Sequence, residues 1–200
     1  AQDFKELINL DENELSNRYI TKLEQQYPGF YFAKRREGDI HTVLSKYKGN
    51  TLPALPSVLE RLVISGCPNL ESVPEFPSGL VCLSIDECPN LKTLPAFPSG
   101  LEHLEIKACP NLESVPEFPS GLKELNIELC EKLEAIPEFP SGLEHLEIKA
   151  CPNLESVPEF PSGLENLHIL GCRNLKRLPE FPPGLKGLGI HNCDNLESVP

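Results

Sequence analysis

From Leu59 to Pro200 the apolar positions of this 200-residue chain recur with a single period. Leu101 to Gly121 reads LEHLEIKACPNLESVPEFPSG and returns letter for letter at Leu143 to Gly163. Diverged copies start at Leu59, Leu80, Leu122, Leu164 and Leu185, which fixes the period at 21 residues. A fixed period of this length marks a solenoid, in which each copy is one coil that buries its apolar side only against its neighbours. In the opening L-x-x-L-x-I, apolar and free positions alternate with the period of a strand, so Leu104 and Ile106 should point inward and His103 and Glu105 outward. The pattern predicts one short strand per copy, stacked into an inner parallel sheet.

After each strand comes a cysteine: Cys67, Cys88, Cys109, Cys130, Cys151, Cys172 and Cys193. Their spacing places each above the last, as a buried structural ladder. The return path has few helix formers and carries two prolines per copy, Pro116 and Pro119 in the third, which block helical hydrogen bonding and favour extended geometry. The convex side is therefore expected to be extended. Phe76, Phe97, Phe118, Phe139, Phe160 and Phe181 should fill it as a spine, and Ser120-Gly121 should turn the chain into the next strand.

Residues 1–51 do not repeat. Leu15, Tyr19, Leu23 and Tyr27 fall four apart within Asp11 to Gln26, the mark of one helical face, and Pro28-Gly29 ends the run. Phe4, Leu7, Ile8 and Leu10 add a short turn or helix before it. Phe30-Tyr31-Phe32 and Ile40 to Leu44 flank the polar stretch Lys34 to Asp39 as a hairpin with a glycine turn. The region is expected to be an N-terminal cap covering the first coil, since the end of a solenoid is otherwise bare core. Residues 52–200 are the array: Leu52 to Val58 matches the last third of a copy, and the chain stops within a copy, as a cut segment or a longer natural protein would.

Composition narrows the function classes. A formal charge of −12 excludes nucleic acid and anionic membrane as natural partners and favours a basic protein partner. No apolar run is long enough to span a bilayer. The chain starts with Ala1 and has no Met, which points to a processed or trimmed start. Eight cysteines evoke a disulfide framework, but seven lie one per coil in a buried column, where a free thiol behaves as a small apolar group. The eighth, Cys82, falls on an outward strand position as an exposed thiol, which suits a reducing compartment such as a cytosol.

Function is legible as columns of outward side chains. The third position gives Arg61, Cys82, His103, Glu124, His145, Asn166 and Gly187, and the fifth gives Val63, Ser84, Glu105, Asn126, Glu147, His168 and Gly189. The seventh gives Ser65, Asp86, Lys107, Glu128, Lys149, Leu170 and His191, whose middle alternates in sign as surface compensation would. His103-Glu124-His145 has metal-ligand residue types, but the imidazoles are two strands apart, about 10 Å, too far for ligands about 2 Å from one ion. No metal and no cofactor is expected. Neither a nucleophile with its base and acid nor a glycine-rich phosphate loop occurs, so no enzyme is expected. Outward positions vary while the convex Glu75, Glu117, Glu138, Glu159 and Glu180 do not. The expected partner-binding residues are therefore His103, Glu105, Glu124, Asn126, His145, Glu147 and His168, with the convex acidic stripe as the rival surface.

The array resembles leucine-rich-repeat proteins. Leu94-Pro95-Ala96-Phe97-Pro98-Ser99-Gly100-Leu101 is similar to the LPX-subtype repeats of bacterial secreted effectors, and Cys109-Pro110-Asn111-Leu112 followed by Glu113-Ser114-Val115-Pro116 to repeats of plant intracellular immune receptors. The resemblance implies an α/β-type solenoid: a curved leucine-rich-repeat array with a parallel concave sheet, an extended, little-helix convex side and an N-terminal α+β cap. It implies a non-enzymatic module that binds a protein on its concave sheet. The alternatives are the substrate-recognition part of a larger effector or ubiquitin ligase, and an engineered or structural scaffold, which near-identity of two whole copies allows.

Overall fold

The computed structural model describes residues 21–22, 24–25, 30–34, 40–52, 54–57 and 59–200. Among them, nine strands form one sheet in chain order: β1 (Phe30–Lys34), β2 (Ile40–Ser45), β3 (Arg61–Ser65), β4 (Cys82–Asp86), β5 (His103–Lys107), β6 (Glu124–Glu128), β7 (His145–Lys149), β8 (Asn166–Leu170) and β9 (Gly187–His191). β1 runs antiparallel to β2, and every later pairing is parallel. The two strands expected to flank the glycine turn pair with each other, the turn itself lying outside the described residues, and β2 adds directly to the edge of the repeat sheet. Thr21, Lys22, Glu24 and Gln25 are helical, while the rest of the expected helix, the turn at 4–10 and the basic residues 35 and 36 lie outside the described residues.

Each repeat strand pairs with the next in the register of the period, Leu104 with Leu125 and Ile106 with Ile127. Two inward side chains per strand result. The core is a stack of identical layers: Leu101, Leu104, Ile106, Cys109 and Leu112 are at most 2% exposed, and so are their counterparts from Leu59 to Leu175. Burial of this kind is worth about 1.5–3 kcal/mol per large side chain, and it is collected only when the next coil is present. At the last coil Leu188 is exposed and Ile190, Cys193 and Leu196 are only partly covered.

The residue after each strand adopts a left-handed conformation, with φ between 48° and 68°: Gly66, Glu87, Ala108, Leu129, Ala150, Gly171 and Asn192, preceded by Lys46 after β2. In that conformation its N–H donates to the carbonyl ending the next strand, as Ala108 N does to Glu128 O at 2.9 Å, while the chain leaves the sheet. The sequence points to glycine in the Pro-Ser-Gly turn instead. That turn closes by Leu122 N donating to Pro119 O at 3.1 Å, and none of its glycines has positive φ.

The return path is extended, as its prolines require, and no helix occurs between Leu59 and Pro200. Successive phenylalanine rings stack with centroids 6.0–6.4 Å apart, against about 4.8 Å between strands. Coils therefore lie closer on the sheet side than on the phenylalanine side, and the array curves with the sheet concave.

Candidate functional site: the concave sheet

Each repeat strand projects its first, third and fifth residues, which are positions three, five and seven of the copy, from the concave face. A groove of about 500 Å³ runs across it from Arg61 to His168, and all seven residues expected at the site line it: His103, Glu105, Glu124, Asn126, His145, Glu147 and His168. Their mutual positions follow from the ladder. Asn126 pairs in register with Glu105 on one side and Glu147 on the other, and Glu124 lies between His103 and His145.

The side chains do not form the symmetric His-Glu-His row that the third column spells. His103 Nδ1 meets Glu124 Oε2 at 3.0 Å, but His145 Nδ1 turns to the amide of Asn166 at 2.9 Å. Asn166 reaches that position because Gly187 has no side chain: a Cβ there would collide with Asn166 Oδ1. His168 leans over Gly189 in the same way. Among the described residues no cluster of His, Cys, Asp and Glu has the arrangement to hold a metal ion.

The seventh column also departs from simple alternation. Lys149 bridges strands to Glu128 at 3.0 Å, whereas Lys107, in an identical copy, turns to Glu105 within its own strand at 2.7 Å. The hydrogen bond to Glu105 raises the Lys107 ammonium above its ordinary range. Cys82 is half-buried rather than exposed, because the Arg61 guanidinium lies over it with Nη1 3.2 Å from Sγ. The strand pitch brings Arg61 onto the neighbouring position of the same column, which reading each position separately does not reveal.

Behind the sheet, two columns hold consecutive coils in place. Six ladder thiols from Cys67 to Cys172 are fully buried and Cys193 is partly exposed. Each donates to the carbonyl two residues back, Cys109 Sγ to Lys107 O at 3.2 Å for example. Hydrogen bonding to Cys88, with burial, raises Cys67. Bonding to Cys109 pushes Cys88 up to about 12, and burial does the same for Cys172. Cys109 and Cys151 are drawn down by their hydrogen bonds with Cys88 and Cys130, against the upward pull of burial. The second column is one to which sequence reasoning assigned no role. Asn90, Asn111 and Asn153 donate from Nδ2 to Pro68, Pro89 and Glu131 carbonyls of the preceding coil at 2.7 Å. Its signal was an asparagine two residues after the cysteine in every copy but the fourth.

One strand per coil, a buried cysteine ladder, asparagines tying coil to coil and an extended return define a leucine-rich-repeat solenoid, a fold used generally for protein–protein interaction rather than catalysis. Among solved structures the chain is similar to YopM from Yersinia enterocolitica WA-314, at 26% identity and TM-score 0.52 over 78% of this chain, and it spans 38% of that protein's length. It is similar in fold to the leucine-rich-repeat domain of the type III effector XopL, at 21% identity and TM-score 0.51, covering 79% of this chain and 71% of that one. No family model matches the chain, and no curated protein matches it.

Proposed function

We propose that this chain is a recognition module that binds a basic protein partner on its concave sheet, with His103, Glu105, Glu124, Asn126, His145, Glu147 and His168 as the contact surface. The observation that carries the reading is that one groove gathers all seven. Of its charged lining, Arg61 stands against three carboxylates, Glu105, Glu124 and Glu147. Such a surface steers a cationic partner and weakens with salt, because the charges are partly exposed and screened over about 10 Å at 0.1 M.

Changing Glu124 and Glu147 together to Lys is expected to abolish binding of the partner, while changing the convex Glu117 and Glu159 to Lys leaves it intact. The opposite result would transfer the site to the convex stripe. A second reading, the recognition part of a larger secreted effector, is favoured by the likeness to a type III effector's repeat domain. It uses the same surface and is distinguished by a further domain in the parent gene.

A further inference from the structure

The two identical copies present the same outward side chains twice. His103, Glu105 and Lys107 stand on β5, and His145, Glu147 and Lys149 on β7, with β6 between them in register. Adjacent strands lie about 4.8 Å apart, so any determinant on β5 recurs about 9.6 Å further along the groove. We propose that the groove takes a partner segment in the polyproline II conformation that carries cationic side chains three residues apart, one over Glu105 and one over Glu147. This deepens, and rests on, the concave-face reading above.

Magnitudes select the conformation. Polyproline II rises about 3.1 Å per residue with three residues per turn, so residues i and i+3 project from one side about 9.3 Å apart. A β-strand repeats a side every two residues, about 6.7 Å, and a helix places i and i+4 about 6 Å apart. Neither spans two strands with consecutive same-side residues. A polyproline II segment also keeps its backbone polar groups unsatisfied internally, and Asn126 stands midway to meet them. Its Oδ1 is shielded and has no hydrogen-bond donor, so turning the amide toward a ligand sacrifices no bond at that atom.

The two carboxylates are available. Glu147 makes no ion pair among the described residues. Glu105 holds Lys107, but that pair is about one-third exposed, and exposed pairs contribute about 0–1 kcal/mol. Lys107 has Asp86 and Glu128 as its register neighbours on either side, and Glu128 is the acceptor that Lys149 uses. A ligand cation therefore displaces Lys107 toward Asp86, its register neighbour on β4.

The test uses the full chain and three dye-labelled blocked peptides. The first is Pro-Pro-Arg-Pro-Pro-Arg-Pro-Pro, and the others have the same composition with the second arginine two or four residues from the first. Anisotropy titration at low salt is expected to show the spacing-three peptide binding about tenfold tighter, as linked sites of matched span require. In Glu105→Gln or Glu147→Gln that preference should vanish. Equal affinities for the three peptides, a preference that survives Glu147→Gln, or no binding at millimolar peptide would each overturn the proposal. Equal affinities that are still lost in the Glu124→Lys, Glu147→Lys double variant overturn the spacing alone and leave the concave-face reading standing. Binding lost only in the Glu117→Lys, Glu159→Lys variant sinks the concave-face reading itself.

Discussion

The left-handed residue after each strand allows a mirrored stability experiment within one molecule. Ala108 and Ala150 occupy this position in identical copies, at φ 48° and 51°, and Gly171 occupies it in the next coil at φ 68°. An L-residue there brings its Cβ against the following carbonyl, at a cost of about 1–2 kcal/mol. Glycine avoids that cost but loses about 0.5–1 kcal/mol more backbone entropy on folding. Ala108→Gly and Ala150→Gly should thus each stabilise by about 0.5–1 kcal/mol. Sites two strands apart act nearly independently, so the double variant should gain about 1–2 kcal/mol, or about 2–8 °C in melting temperature for a chain of this size. Gly171→Ala should lose what Ala150→Gly gains. A Cβ there has its nearest neighbours, Ala150 backbone atoms, at 3.7 Å, an ordinary contact, so the loss is conformational and not a clash. Urea titrations with unchanged slope would report the differences directly. If either alanine-to-glycine change lowers the midpoint, the strain assigned to this column is wrong.

Other outcomes follow from single sites. Under native conditions a thiol reagent should modify Cys193 and, more slowly for its guanidinium cover, Cys82, while the six buried ladder thiols resist; rapid labelling of more than two thiols would contradict the ladder. Thr42 is fully buried and its Oγ1 has no partner. Thr42→Val should therefore stabilise the β2–β3 junction by about 1–3 kcal/mol, visible as slower hydrogen exchange there, and a destabilised variant would show the hydroxyl to be bonded. The hydrogen bond from Lys186 depresses the Glu165 carboxyl below its ordinary 4.5. Whatever stability this pair provides is present above that value and lost as pH falls through the depressed one, and a carboxyl titration by NMR in Lys186→Ala should move back up. Deleting residues 1–51 removes β2 from the edge of β3 and should cause aggregation; a truncated array that stays monomeric with the same melting temperature would show that the region does not act as a cap.

Much of the architecture was legible in the sequence because a repeat states each instruction several times. Leu104, Ile106, Cys109 and Leu112 are buried as their spacing demands, and the third- and fifth-position columns line one groove while the seventh does not. The left-handed column was not legible, because Gly66, Gly171 and Asn192 are diluted by Glu87, Ala108, Leu129 and Ala150, residues that disfavour the conformation the frame imposes. Leu129 is even left 46% exposed there. Nor could columns reveal which neighbour a flexible side chain selects. Lys107 and Lys149 have identical local sequence yet choose different carboxylates, since the coils on either side differ. Cys82 needed Arg61 from the coil before it.

The difference between strand pitch and ring pitch also has a mechanical consequence. The hydrogen-bonded sheet cannot stretch, whereas rings 6.0–6.4 Å apart lie well inside the range of about 4.5–7 Å over which aromatic pairs attract, so the outer wall places no stop on straightening. Along that wall Glu117, Glu138, Glu159 and Glu180 stand exposed on four successive coils, with no ion pair among the described residues. Like charges at that separation, well within the screening length of about 10 Å at 0.1 M salt, push the outer wall apart and act as a spring that tightens the arc. Salt relaxes the spring, so the radius of the horseshoe becomes a function of ionic strength, and a ligand that needs a flatter surface finds it where the carboxylates are screened.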